Sequence, residues 1–285
     1  MFATTENAMH ASGISITVLS DNRVAYGLEA EHGFSLWIET VGRKILFDTR
    51  RDEAMLRNAD QLGIELGRAD CVVLSHGHYD HTGNVPKMFA RAEHAQLFSH
   101  PNVLQTRYSI HDAPKQIGMP AKSVGTIMAL PNARRNWVTV PRFLGPGVML
   151  TGPVPRVIAY EDTGGPFFLD ADGKRPDEIT DDQSLWVQTL AGLVVCLGCC
   201  HAGVINTLRH ITAVAGDKRV MAVIGGMHLL HATETRLEQT AEALKEYNIP
   251  YVFPCHCTGD APMDFLAKKL GASVQPGYVG LKVSF

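Results

Sequence analysis

Charge of one sign is what this chain most plainly lacks. Lys plus Arg number 26 against 29 Asp plus Glu, a formal net charge of −3, and charged residues make up only 19% of the 285 residues. That balance leaves no electrostatic footprint for nucleic acid or for an anionic membrane surface. Long apolar runs are also missing. Stretches such as Leu193–Leu197 fall far short of the roughly 18 residues a membrane span needs. The opening segment Met1–Ala11 carries Glu6, no Lys or Arg and no apolar core, which reads against a secretory signal. The cysteines, six in all, sit at 71, 196, 199, 200, 255 and 257. Two tight clusters of this kind do not resemble a secreted disulfide framework. These absences predict a reduced, cytoplasmic protein with a small-molecule partner and neither nucleic acid nor membrane.

What is present is ordinary core-forming sequence, 45% hydrophobic. At about 150 residues per domain the length suggests two domains, but layered α/β folds of this size often form one. Strand-length apolar stretches recur at Ile14–Leu19, Ser35–Ile38, Ile45–Phe47, Cys71–Leu74 and Gln96–Phe98. The second half repeats them at Val157–Tyr160, Leu185–Val187, Leu193–Leu197, Val220–Ile224 and Tyr251–Phe253. Helical spacing intervenes at Asp52–Leu66, Val204–Val214, Thr235–Tyr247 and Met263–Leu270. The third of these opens with Thr235-x-x-Glu238, a capping-box spacing. About ten strands with helices in both halves predict an α/β fold, a four-layer αββα sandwich, over residues 1–285 as a single domain. No repeat of 20–50 residues is visible. The Pro- and Gly-rich segment from about 100 to 181 breaks the rhythm and reads as an insertion. A lid over a site, a homodimer contact and a decorative surface excursion are its three readings.

Histidine is the outlier, with 13 copies. The decisive stretch is Asp70-Cys-Val-Val-Leu-Ser-His76-Gly-His78-Tyr-Asp80-His81-Thr-Gly. Chance alone yields H-x-H-x-D-H on the order of 10⁻³ times in such a chain. Neutral imidazoles with one carboxylate suit a borderline divalent ion such as Zn²⁺. Alternate spacing lets His76 and His78 reach one ion while Asp80 and His81 turn toward another. A merely His-rich surface loop is the competing explanation. His201 and His256 each follow a predicted strand, where a metal site needs them. Either one alone reads equally well as a structural histidine, but together with the loop they supply six ligands for two metals.

On these residues the chain resembles the metallo-β-lactamase superfamily across essentially its whole length. The resemblance implies the αββα fold with a binuclear metal site along one edge. It implies that Asp48, in Leu-Phe-Asp-Thr, supports the metal loop without ligating. It assigns His76, His78 and His201 to the first ion and Asp80, His81 and His256 to the second. Further motifs narrow the branch: Glu31-His32-Gly33-Phe34-Ser35, Thr151-Gly-Pro-Val-Pro-Arg156, Asp181-Asp182-Gln183-Ser184-Leu185, Gly198-Cys-Cys-His-Ala-Gly, Gly225-Gly-Met-His228-Leu and Cys255-His-Cys-Thr-Gly. They are similar to proteins labelled dihydropterin–ribofuranosylaminobenzene 5′-phosphate synthase-like, a label that does not fix the substrate. One departure stands out. Most of the superfamily bridges its two ions with an aspartate at a strand end, where this chain has Val223-Ile224-Gly225-Gly226. His228 is the expected substitute, as ligand or substrate contact, against a structural role at a helix entry. Asp182 is a second carboxylate within reach of recruitment, or a turn residue.

The cysteines flanking these ligands read as small buried residues, since C-C and C-x-C lack the spacing of a four-cysteine zinc site. His10, His94, His100, His111, His210 and His231 have no motif context and read as surface. Tyr79 reads equally as substrate wall or packing. If two divalent ions bind, with Zn²⁺ ahead of Mn²⁺ or Fe²⁺, the simplest chemistry is hydrolysis by a metal-activated hydroxide. Asp80 would hold the second ion and take part in proton transfer, with His228 and His32 polarising the substrate or protonating the leaving group. Arg156, together with Arg107, Arg134 and Arg135, is a candidate to hold an anionic substrate group, against the bland reading of solvated surface arginines. Three functions therefore compete. The first is a metallo-hydrolase of a small anionic or phosphorylated metabolite. The second is a synthase condensing a pterin with an aryl ribose phosphate, and the third a non-hydrolytic metal-bound binding or redox module.

Overall fold

A computed structural model describes residues 13–285. His10 and the segment Met1–Ala11 lie outside the described residues. Among the described residues, sixteen strands form three sheets. The first sheet runs in the order β16 (Lys282–Ser284), β1 (Ser15–Ser20), β2 (Ser35–Thr40), β3 (Arg43–Phe47), β4 (Cys71–Val73), β5 (Gln96–Ser99) and β8 (Arg135–Trp137). The second runs β15 (Tyr251–Cys255), β14 (Val220–Gly226), β13 (Gly192–Leu197), β12 (Leu185–Thr189), β10 (Val148–Leu150) and β9 (Arg142–Gly145). A small third sheet joins β11 (Phe167–Phe168), β6 (Tyr108–Ile110) and β7 (Pro114–Gln116).

Alternation along the strands makes the layers. Leu36 and Ile38 face the second sheet while Trp37 between them faces outward, and Ile45 and Phe47 flank Leu46 in the same way. Across the interface Val194 and Cys196 point inward, whereas Leu193, Val195 and Leu197 point to the opposite face. Three buried clusters result. One lies between the sheets. A second lies under α1 (Ala54–Gln61), α3 (Val85–Arg91) and α4 (Ala121–Ala129). The third lies under α5 (Val204–Ala215), α6 (Glu234–Tyr247) and α7 (Asp260–Leu270). Three cores between four layers are the αββα sandwich expected from the sequence. Among the described residues no helix is long and apolar enough to cross a membrane.

Two local expectations are corrected. Val157–Tyr160 is not a strand, because the backbone N–H groups of Val157 and Ile158 both donate to Asn206 Oδ1. The cap of α6 is Thr233, which accepts from Arg236 N, two residues before the Thr235 expected. The segment from 100 to 181 is also not one excursion. Its middle supplies α4 and β8 to one half of the sandwich and β9 and β10 to the other. Only the small third sheet and its neighbouring loops stand apart from the two main sheets.

Parallel pairing decides where the site sits. β3, β4 and β5 run parallel, as do β13, β14 and β15. Their C-terminal ends therefore open along one edge, the place where α/β sheets bind ligands. The short helix α2 (Tyr79–Thr82) carries Asp80 and His81 into that edge.

Candidate metal centre

Each of the six sequence-predicted ligands reaches this edge. His76, His78 and His201 offer nitrogen atoms all within 4.8 Å of one another, and so do His32, Asp80 and His256 with their own donor atoms. Asp80 Oδ2 lies 3.3 Å from His256 Nε2, 3.7 Å from His81 Nε2 and 3.2 Å from His32 Nε2. All six expected ligands are at least nine-tenths buried.

Oxygen acceptors behind the rings orient them. His76 Nδ1 lies 2.9 Å from Ser75 Oγ, which itself donates to Asp48 Oδ2 at 2.7 Å. His81 Nδ1 donates to the same Asp48 oxygen at 2.6 Å. His201 Nδ1 donates to the Thr163 carbonyl at 2.8 Å, and His256 Nδ1 to Asn22 Oδ1 at 3.1 Å. In all four rings the Nδ1–H is spent on the protein, which turns Nε2 toward the others. Such outer partners fix the tautomer of metal-ligating histidines.

Burial pushes the imidazoles of His76, His78 and His201 well below their ordinary range, and neighbouring cationic side chains add to it. They stand as neutral lone-pair donors. Burial alone would raise the Asp80 carboxyl, but His81 and the hydrogen bonds from His256 and His32 hold it well below its usual value. Burial opposes the protonated form of His81 too, yet Asp48 and Asp80 raise it to about 9. The Nε2 atoms of His78 and His201 are buried without a hydrogen-bond partner. Orphaned nitrogen lone pairs are costly in a dry site unless something electrophilic accepts them. Neutral imidazoles, one ionised carboxylate and unspent Nε2 atoms are the donor chemistry of a divalent metal centre, so the residues fit the group.

Backbone strain collects at the same edge. Asp48, Cys200, His228 and His256 all hold positive φ, between 47° and 62°. Non-glycine residues in that region concentrate at functional sites, where surrounding contacts over-determine them.

The edge opens into a cavity of about 580 Å³. His32, His228 and Tyr79 all line it. His228 sits against the His201 ring with centroids 4.2 Å apart, and its Nδ1 is buried without a partner. Gly164 lets it lie there, since a Cβ on that residue would fall 1.9 Å from His228 Cδ2. Tyr79 takes Arg51 and Lys115 against its ring face, at 5.3 and 5.7 Å from the centroid. From the segment expected as an insertion, His111, Lys115, Ile117 and Phe167 reach the wall.

The arginines expected to hold an anion are elsewhere. Arg156 donates to the carbonyls of His201 and Glu178 and does not line this cavity. Arg107 is fully buried between Asp177 and Asp181. Arg134 donates to the Ala95 carbonyl, and Arg135 bonds Asn132. Each of the four is engaged by a backbone, side-chain amide or carboxylate partner. Asp182 accepts from Ala202 N at 2.9 Å behind the His201 loop, and burial raises it to about 7. It joins none of the donor groups among the described residues.

Several residues of the site are not picked out by sequence reasoning. Asp21 accepts from His256 N at 2.8 Å and Asn22 orients its ring. The polar run Ser20-Asp21-Asn22 at the end of an apolar strand is the one signal that points to them. His111 and His231 are exposed, as expected, and stand at the cavity wall. Cys199 and Cys257, expected as small core residues, lie among the ligand atoms.

Comparison with known proteins agrees with this architecture. A family model described as the metallo-beta-lactamase superfamily matches residues 28–256, and the chain belongs to that superfamily. It is 29% identical over 267 residues to 7,8-dihydropterin-6-methyl-4-(beta-D-ribofuranosyl)-aminobenzene-5′-phosphate synthase of Methanocaldococcus jannaschii, across 89% of this chain and 90% of that one. An uncharacterized protein of the same organism is 29% identical over 246 residues, covering 86% and 90% of the two chains. Among solved structures it resembles Tm1679, described as a metal-dependent hydrolase of the beta-lactamase superfamily. The TM-score is 0.80 at 30% identity, over 95% of this chain and 98% of that one.

Proposed function

We propose that this protein is a metal-dependent hydrolase of a small anionic metabolite, phosphate esters foremost. The observation that carries the reading is a buried His/Asp donor cluster beside a cavity of about 580 Å³ that Lys115, His111 and His231 also line. A cavity of this size suits a metabolite. His76, His78 and His201 would hold one divalent ion and Asp80, His81 and His256 a second, with Zn²⁺ the first choice. Bound there, the ions would supply Lewis acidity and lower the pKa of water toward neutrality. Asp80, ionised and hydrogen-bonded by His256 and His32, is suited to orient the attacking water and take its proton. His228, on the wall of the same cavity, is suited to polarise the substrate or protonate the leaving group. Lys115, exposed at the wall, contributes positive charge for an anionic group. The six unpaired cysteines fit a reducing compartment, which supports a cytoplasmic location.

The test is turnover of phosphate mono- and diesters by the zinc-loaded protein, with and without chelator. Chelator-sensitive release of phosphate or alcohol is expected; metal-loaded protein inert toward the whole panel would overturn the hydrolase reading.

A second reading has its own support. The relative named as a 7,8-dihydropterin-6-methyl-4-(beta-D-ribofuranosyl)-aminobenzene-5′-phosphate synthase matches 89% of this chain, and Phe167 packs against His78 and His201 at the site with centroids 5.3 and 5.4 Å away. An aromatic wall of this kind would stack a pterin. Pterin fluorescence retained by the purified protein, together with inertness toward esters, would favour a condensing synthase.

A further inference from the structure

The donor cluster is short of negative charge. Two divalent ions would bring four positive charges into a buried edge where Asp80 is the sole carboxylate in any donor group among the described residues. The imidazoles are neutral in the ligating form, and β14 ends in Gly225-Gly226 with no carboxylate to add. Uncompensated charge in such a site is costly. An anionic donor is needed, and a thiol that gives up its proton to a bound ion would supply it.

Cys199 is buried, and its Sγ lies 3.1 Å from His81 Nε2, the nitrogen facing the cluster. The same sulfur belongs to three donor groups, each with all its atoms within 4.8 Å. It groups with His76 and His81, with His201 and His228, and with His256 and Cys257. Those partners come from both halves of the expected ligand set, so this sulfur sits between the two halves. Of the other nearby thiols, Cys257 shares one of these groups, whereas Cys200 and Cys255 belong to none among the described residues. Cys200 Sγ meets Thr207 Oγ1 at 3.3 Å, Cys255 donates to the Phe253 carbonyl at 3.4 Å, and Cys257 to the Cys199 carbonyl at 3.5 Å. Glycine at 226 makes the room: a Cβ there would fall 2.5 Å from Cys257 Sγ and 3.3 Å from Cys199 Cα. The two cysteines fill the space a larger side chain on β14 would occupy.

We propose that Cys199 is a metal ligand, whose thiolate would supply the negative charge that β14 does not. Binding releases the thiol proton to solvent and forms the metal–sulfur bond. A thiolate donor also selects soft or borderline ions, Zn²⁺ or Fe²⁺, over Mn²⁺. The inference rests on the metal-dependent reading above, and one measurement separates the two. X-ray absorption of the zinc-loaded full-length protein, with ion content from elemental analysis, reads the donors directly. A sulfur scatterer at about 2.3 Å, distinct from nitrogen and oxygen at about 2.0–2.1 Å, is expected. It should vanish in Cys199→Ser and persist in Cys257→Ser and Cys200→Ser. Zinc bound through nitrogen and oxygen alone would overturn the thiolate ligand while leaving the metal centre intact. Sulfur lost in Cys257→Ser but kept in Cys199→Ser would overturn the assignment to Cys199. Protein that binds no zinc would overturn both readings. Replacing zinc by Co²⁺ gives a second check on the wild-type chain, since a thiolate ligand adds sulfur-to-cobalt charge-transfer absorption in the near ultraviolet.

Discussion

His81 donates its Nδ1–H to Asp48 Oδ2 at 2.6 Å, with both side chains fully buried. Asp48 also accepts from Ser75 N and Ser75 Oγ, each at 2.7 Å. One carboxylate at the end of β3 therefore holds the start of the ligand loop, the His81 ring and, through Ser75, the His76 ring. Asp48 is spent on these contacts, and it decides which nitrogen of the two rings turns toward the donor cluster.

Asp48→Asn should loosen that hold, because an amide cannot accept all three hydrogen bonds at its two former oxygens. Metal affinity should fall about 10–100-fold, the usual cost of losing an outer partner. Chelator competition measures it. An unchanged affinity would mean the contact positions nothing.

His228 and Gly164 should behave as a pair. His228→Ala should keep its metal content while kcat/KM toward a phosphodiester falls about 10²–10⁴-fold, the loss of a general acid or base. Gly164→Ala should reproduce much of that loss, since the new Cβ overlaps the His228 ring at 1.9 Å. Metal content that falls with His228→Ala would instead make this residue a ligand.

The metal-free protein should be most stable near pH 6.5. Burial holds His76, His78 and His201 neutral in the folded state well below the ordinary value of 6.5. The unfolded chain takes up those protons first, so stability falls as pH drops below 6.5, by about 1.4 kcal/mol per pH unit for each proton. His81 acts in the opposite sense. Its folded value of about 9 gives stability present below 6.5 and lost as pH rises to 9. Asp21 and Asp182, raised by burial to about 6 and about 7, offset part of the acid-side loss. Thermal melts in chelator across pH 4–10 should therefore show a dome whose acid side is softened by them. A curve flat below pH 6.5 would contradict neutral buried imidazoles.

Arg107→Ala should be severely destabilising. The guanidinium is fully buried and pairs with Asp177 at 3.0 Å and with Asp181, which also accepts from Gly77 N in the ligand loop. Removing one partner of such a network costs about 3–5 kcal/mol. Urea midpoints at constant slope check it. A change below about 1 kcal/mol would show that water replaces the guanidinium.

The layers are legible in the amino-acid sequence because burial imposes a period on it. Strands that face a core on both sides read as unbroken apolar runs, as Gly192–Leu197 does, and helices on the outer layers keep a 3.6-residue stripe. The ligand loop is legible for another reason. Six residues contain three imidazoles and a carboxylate, and no packing requirement produces that pattern. Where local hydrogen bonding competes with periodicity, the pattern misleads: Val157–Tyr160 looks like a strand, yet its first two amides are held by Asn206.

Tertiary structure alone decided which charges are free and which sulfurs lie among the donor atoms. Arg107 and Arg156 carry the same side chain as any anion-binding arginine, and only their partners reveal that they are spent on Asp177, Asp181 and backbone carbonyls. Cys199 and Cys257 lie 58 positions apart in sequence. They meet because parallel β13, β14 and β15 end along one edge, and glycine at 226 leaves the space between them. Composition and spacing set the layers and the donor types. Which atoms converge depends on strand order and register, which bring together residues with no sequence relation to one another.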